Sequence, residues 1–275
     1  MKLHCHHPER SEGSPGGFLG ASCLGMTRLF PGFVALGALL KRCPHVTTLG
    51  VRPQFRCYSY EELVLLKSAP IVLFPTSRYV SIFQSVGKPT FPSPTSYYFR
   101  KWRFPQWVLA SYFNLPSLAT QCYKRNTSPE AVLEKFSIPL RMMDLKNDRS
   151  RGVLVKTKEK LRQLLLERQC MVIIQEEPKH VSTRVVLVFI FYEWAGFNAD
   201  VPREAIPDSI IEQSLQVVRK ANLDDIAVEW LLTERGWLFA GMNFPPMVFY
   251  SPDGSIIDRR TFLCHKLTES ATGLG

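Results

Sequence analysis

The stretch from Leu223 to Asn243, LDDIAVEWLLTERGWLFAGMN, decides how this chain is read. The apolar, β-rich run Ile226 to Leu232 is turned by Thr233, Glu234, Arg235 and Gly236 and returns as Trp237 to Met242, the pattern of a hairpin. Each arm carries one polar group near its end, Glu229 on the first and Asn243 on the second. Antiparallel pairing would aim both at one point. That point suits a magnesium ion, which takes hard oxygen ligands from one or two side chains and completes its shell with phosphates and water. The same residues also suit a plain core hairpin with two ordinary polar positions.

The chain around it has 275 residues and 45% hydrophobic content, enough for one large domain or two ordinary ones. The longest apolar runs, such as Val185 to Tyr192, fall well short of the roughly 20 residues that span a bilayer, so a soluble protein with no membrane partner is expected. Seven scattered cysteines, odd in number and without a CxxC pair, suggest neither a disulfide framework nor a zinc knuckle and fit a reducing cytoplasm. A net charge of +10, from 34 Lys and Arg against 24 Asp and Glu, attracts polyanions such as nucleotides. The basic residues are spread along the chain and no nucleic-acid motif is present, so nucleic acid is not the expected partner. Self-association stays open.

Upstream, residues 1–32 are polar and rich in Gly, Ser and Pro without helical or strand period, and are expected to be disordered or to reflect a start codon placed too early. The bunched His4, Cys5, His6 and His7 lack the paired spacing of a metal site. From Phe33 an alternating α/β pattern is expected. FVALGALLKR shows apolar residues at helical spacing and predicts a helix, Val46 to Val51 a strand, and Ser59 with Glu62 a capping box opening the next helix. APIVLFP reads as a buried strand and Ser77 to Val86 as a helix, while the strand that should open this layer has only the weak candidate Cys23 to Phe30.

Beyond the Pro-rich FPSPTSYYF, Tyr97 to Phe113 predicts a helix that Pro105 kinks or restarts. Leu118 to Tyr123 is strand-like, Ser128-Pro129-Glu130 opens a short helix, and IPLRMMDL with GVLVKT forms a strand pair across the turn Lys146 to Arg151. Then follow the helix Thr157 to Arg168, the strands Cys170 to Gln175 and Arg184 to Trp194, the amphipathic helix Ile206 to Lys220, the hairpin, and a last helix Arg259 to Leu267. No GxSxG, HExxH, Walker or dinucleotide-binding string is present, and Cys122 and Cys170 read as structural thiols.

In this order of elements the chain resembles the ATP-grasp family, specifically RimK-type carboxylate–amine ligases, from about Phe33 to Leu267. LGVRPQFRCYSYEEL and IVLFPTSRYVSIFQSVGKPTFPS are similar to the family's pre-ATP-grasp layer. After the disordered or spurious extension at 1–32, the resemblance implies a pre-ATP-grasp α/β domain at 33–95 and an ATP-grasp domain of two α+β subdomains at 96–267, leaving a tail at 268–275. It also implies ATP and magnesium as cofactors, and a carboxylate and an amine of unknown identity joined through an acyl phosphate. Gln175, Glu176 and Glu177 fall on the hinge that holds adenine, Lys101 and Arg103 near the first nucleotide lysine, and Arg184 on the arginine of an Asp-x-Arg string. Glu229 and Asn243 fall on the first and last metal ligands.

The chain departs from that pattern where the chemistry would occur. The metal-bridging Glu position is Gly241, a phosphate-binding Lys position is Met143 with only Lys146 nearby to replace it, and no Arg- and Asn-bearing loop stands between Trp194 and Ala205. Each lost cationic contact can cost a factor of about 10² to 10³ in phosphoryl transfer. A weakened ligase and a non-catalytic nucleotide-binding or regulatory protein are therefore the two expectations.

Overall fold

The computed structural model describes residues 33–145, 152–168, 170–178, 180–191, 194–198 and 205–272. Its first layer opens with strand β1 (Phe33–Leu36), followed by β2 (Val46–Leu49), helix α1 (Tyr60–Ser68), β3 (Val72–Leu73), α2 (Ser77–Ser85) and β4 (Thr90–Phe91). The strands pair in parallel in the order β2-β1-β3-β4. This corrects the helix expected at FVALGALLKR. Phe33, Val34, Ala35 and Leu36 are all buried, as the central strand of a parallel sheet must be on both faces, and such a run carries no alternation to separate it from a buried helix. Gly37, at φ +86°, then ends the strand in a conformation a side chain would strain. The opening strand sought upstream of Phe33 is β1 itself. Ser59 caps α1 with its full capping box, because its side chain accepts from Glu62 N while the Glu62 carboxylate accepts from Ser59 N.

Two helices lead out of this layer, α3 (Pro94–Lys101) and α4 (Arg103–Tyr112). Trp102 separates them in an extended conformation. Pro105 lies in the first turn of α4, where its missing N–H costs nothing, so the helix restarts rather than kinks. The second sheet comprises β5 (Thr120–Tyr123), β6 (Leu140–Asp144), β7 (Val153–Val155) and β8 (Val172–Glu176), antiparallel in the order β5-β8-β6-β7. One face packs Leu140, Met142, Val155, Val172 and Ile174 against α5 (Pro129–Leu133) and α6 (Lys158–Glu167). The opposite face carries Cys122, Arg141, Met143, Ile173 and Gln175, as the register requires.

The third sheet has six antiparallel strands in the order β12-β11-β9-β10-β13-β14. They are β9 (His180–Phe191), β10 (Trp194–Phe197), β11 (Asp225–Thr233), β12 (Gly236–Asn243), β13 (Val248–Tyr250) and β14 (Ile256–Asp258), with α7 (Asp208–Lys220) before β11 and α8 (Arg259–Thr272) after β14. The single strand expected at Arg184 to Trp194 is thus two, β9 beginning earlier and Trp194 opening β10. The short strands β13 and β14, three residues each, fall below what alternation can reveal. The last helix runs past the expected Leu267 to Thr272, just before Gly273, so most of the expected tail is helix. Trp230, fully buried, donates its indole N–H to Ser214 Oγ at 2.8 Å and fixes the hairpin to α7. No helix among the described residues is long and apolar enough to cross a membrane. Residues 1–32, with His4, Cys5, His6 and His7, and the turn holding Lys146 lie outside the described residues.

Candidate functional site

The hairpin of β11 and β12 closes through the two-residue turn Glu234-Arg235, with Thr233 opposite Gly236. Ala227 stands opposite Asn243 and Glu229 opposite Gly241. Residues directly opposite share a sheet face, as do residues two apart, so Glu229 and Asn243 are diagonal neighbours on one face of the hairpin. Just beyond them, toward the hairpin tip, the ladder slips: Glu229 pairs with Gly241 but Trp230 with Phe239, leaving Ala240 as the extra residue of a bulge. Gly241 sits in that bulge at φ +156°. A Cβ built on it would lie 3.0 Å from Gln106 Oε1 and 3.2 Å from Glu229 Oε2. The Glu229 carboxylate therefore leans into the space that a side chain at position 241 would fill.

Gln106 of α4, fully buried, holds the strand beside this bulge from the outer edge of the sheet. Its Nε2 donates to Met242 O and its Oε1 accepts from Met242 N, both at 2.9 Å. A side-chain amide thus replaces a neighbouring strand at one residue, satisfying an N–H and a C=O that would otherwise be buried without partners. Nε2 also donates to Phe99 O, tying the α3–α4 corner to the hairpin. Lys101 and Arg103 flank that corner. The Lys101 ammonium lies 4.5 Å from the centre of the Trp102 ring.

At the root of the hairpin charges are buried together. Asp225 Oδ2 accepts from Arg259 Nη2 at 2.6 Å and from Arg100 Nη1 at 3.4 Å. The Arg100 guanidinium stacks 4.4 Å from Tyr97 and 4.6 Å from Phe244, the residue after Asn243. Next to it, Asp224 accepts from Ser93 N at 2.8 Å and from Ser96 Oγ at 2.7 Å, which fastens the start of α3 to the hairpin. Burial pushes the Asp224 carboxyl up to about 6, a rise that the Ser96 hydroxyl opposes and the neighbouring Asp225 adds to.

The expected hinge meets the other end of the hairpin. Glu176 Oε1 accepts from Ala119 N at 2.7 Å and from Arg235 at the hairpin tip, and Glu176 N donates to Ala119 O at 3.0 Å. Gln175 Nε2 donates to Thr120 Oγ1 at 3.0 Å. Glu177 accepts from Arg141 Nη2 at 2.9 Å. The hinge thus meets the hairpin tip while the Glu229–Asn243 face lies further toward the root, with Thr233 and Glu229 about 13 Å apart along the strand. Arg184 is on β9, in the stretch where the ladder to β11 slips between Val185 and His180, so alternation does not decide its face, and its side chain is outside the described residues, as is Lys146.

Met143 is buried at 3% exposure among apolar side chains that include Ile173, and a Cβ on Gly152 would collide with it. Sequence reasoning missed Arg141. It stands two residues before Met143 on the same strand and so on the same face, a spacing visible in LRMMD once that strand is placed. Among the described residues no group of three or more His, Cys, Asp or Glu could hold a metal ion. One carboxylate and one amide fit a single magnesium that takes its other oxygens from phosphate and water, and do not fit a pair of metals.

No protein-family model and no curated protein matches the sequence. Solved structures do match in fold. A RimK domain ATP-grasp protein from Sphaerobacter thermophilus aligns with TM-score 0.62 at 13% identity, over 87% of this chain and 96% of that one. D-alanine–D-alanine ligase from Bacillus anthracis, complexed with ATP, aligns with TM-score 0.56 at 11% identity, over 78% and 85%. N5-carboxyaminoimidazole synthase from Aspergillus clavatus, bound to ADP and 5-aminoimidazole ribonucleotide, gives 0.55 at 14%, over 78% and 70%. A parallel α/β layer followed by two antiparallel sheets, matched over most of its length to these structures, makes this chain an ATP-grasp fold protein.

Proposed function

We propose that this chain binds ATP with one magnesium ion between its second and third sheets, and that it is a ligase-like protein with weakened phosphoryl transfer. The observation that carries the reading is the shared face of Glu229 and Asn243, one carboxylate and one amide at diagonal positions, the carboxylate across from a side-chain-free Gly241. The solved structures of this fold that hold ATP or ADP support the nucleotide. Adenine would meet the backbone at Glu177, because the Glu176 N–H is already given to Ala119. Arg141, with Lys101 and Arg103, would supply positive charge to the phosphates in place of Met143. The magnesium would neutralise phosphate oxygens, and the residues of the chain would orient them. The substrates would be a carboxylate and an amine, joined through an acyl phosphate.

A non-catalytic, nucleotide-sensing role is the second reading, favoured by the burial of Met143 in apolar surroundings. ADP release by the purified protein, measured with magnesium against panels of carboxylates and amines, separates the two. Turnover far below that of a competent ligase, yet dependent on both substrates, is expected. Rapid turnover would show the site unimpaired, and thermal stabilisation by Mg-ATP without any ADP would favour the sensing role.

A further inference from the structure

The first layer is more basic than the rest of the chain. From Phe33 to Phe91 it carries seven Lys and Arg against two acids, Glu61 and Glu62, a net of +5 that is half of the chain's +10. Both acids are engaged where α1 begins: Ser59 N donates to Glu62 Oε2 at 2.8 Å and Ser59 Oγ to Glu61 Oε2 at 2.7 Å. Arg52 follows β2, and Arg78 follows β3 in the first turn of α2. The two arginines line one cavity of about 410 Å³, walled by residues 51–53 and 76–79. β2 and β3 flank β1 and run parallel to it, so both walls leave the sheet at the same end. Val51 lies over the end of β1, 3.6 Å from where a Cβ on Gly37 would be. In the order β2-β1-β3-β4 the chain moves one way from β1 to β2 and the other way to β3, and open α/β sheets take ligands in the crevice outside the carboxyl ends of the strands at such a reversal.

We propose that this cavity binds a small organic dianion, a phosphomonoester or a dicarboxylate, whose oxygens the Arg52 and Arg78 guanidiniums grip. Its volume is in the range of small-molecule sites. The wall that carries Arg52 is held in place before any ligand arrives. Tyr58 Oη accepts from Arg52 N at 3.2 Å and donates to Gly50 O at 3.0 Å, and Tyr79 Oη donates to Arg52 O at 2.7 Å. Arg78 Nη1 donates to Pro53 O at 3.1 Å and joins the two walls. Such a wall needs little further ordering on binding. Arg52 Nη2 meets Glu62 Oε1 at 3.4 Å, a long and exposed contact, and each guanidinium offers five N–H groups, so both forks have donors left for a ligand. The net charge of the layer draws anions toward the cavity. The site belongs to the first sheet and Glu229 and Asn243 to the third, so the inference stands whether or not that face holds ATP.

The test uses the full chain without ATP or magnesium, titrated calorimetrically with glycerol phosphate and, separately, with succinate. At least one should bind with a dissociation constant on the order of 10⁻³ M or tighter, and more weakly as salt is added. The probe that binds tells which head group the site takes. Arg52→Gln and Arg78→Gln should each lower the affinity about tenfold or more, whereas Arg56→Gln, which removes an exposed charge outside the cavity, should change it less than about twofold. Amide resonances of residues 51–52 and 76–79 in the isotope-labelled natural protein should shift during the titration, so the matter is decided even if a variant folds poorly. Binding of neither probe at millimolar concentration, shifts confined to other residues, an affinity that Arg52→Gln and Arg78→Gln leave unchanged, or an equal loss from Arg56→Gln would overturn the proposal.

Discussion

At the scale of single residues, the chain shows why a position cannot be judged apart from its neighbour across the strand. Gly241 removes an expected acid, yet the structure sets the Glu229 carboxylate over it, 3.2 Å from where its Cβ would be. A Gly241→Glu change alone should therefore not restore a metal ligand. It should destabilise the fold by about 1–3 kcal/mol, through crowding against Glu229 and Gln106 and through the backbone angle. Urea denaturation measures this. Shortening the facing residue relieves the crowding, so Glu229→Asp combined with Gly241→Glu should be more stable than Gly241→Glu by itself. Met143→Lys likewise places a charge in an apolar setting and should cost about 2–4 kcal/mol in the absence of nucleotide, measured in the same way. Asp224 gives a pH signature. Its folded value of about 6 lies above its ordinary one, so its contribution is fully present below about pH 4 and is lost as pH rises through 6. Relative to Asp224→Asn, the natural protein should lose about 2–3 kcal/mol of stability between pH 4 and 7.

At the scale of elements, the Gln106 amide does the work of a missing strand at the edge of the third sheet. Gln106→Leu leaves the N–H and C=O of Met242 without partners and should cost about 2–4 kcal/mol, with faster amide exchange at Met242 as its local sign. This clamp was not legible in the sequence, since it joins residues 136 positions apart. The hairpin was legible, because Ile226 to Leu232 and Trp237 to Met242 flank an obvious turn. β1 was not, because Phe33, Leu36, Leu39 and Leu40 fall at helical spacing although Phe33 to Leu36 form a strand buried on both faces. Alternation within LRMMD held the signal for Arg141, which shares a strand face with Met143. Asp225 and Arg259, joined across the molecule, carry no local pattern that could have paired them.

At the scale of the whole molecule, the polar ties that fasten the three sheets among the described residues include Asp224 to Ser93 and Ser96, Asp225 to Arg100 and Arg259, and Glu176 to Ala119 and Arg235. The first two ties fix the first layer and α3 to the root of the hairpin. The third joins the second sheet to the hairpin tip. Both ends of the hairpin are thereby held, and the face of Glu229 and Asn243 lies between them. That face is the proposed site of a nucleotide held through one magnesium. Calorimetric titration of ATP into the full chain, with and without magnesium and beside Glu229→Ala, tests this directly. The account predicts magnesium-dependent binding with a dissociation constant on the order of 10⁻⁴ M or weaker, reduced about tenfold or more by Glu229→Ala. Absence of magnesium-dependent heat at millimolar ATP, or an affinity that Glu229→Ala leaves unchanged, would contradict it.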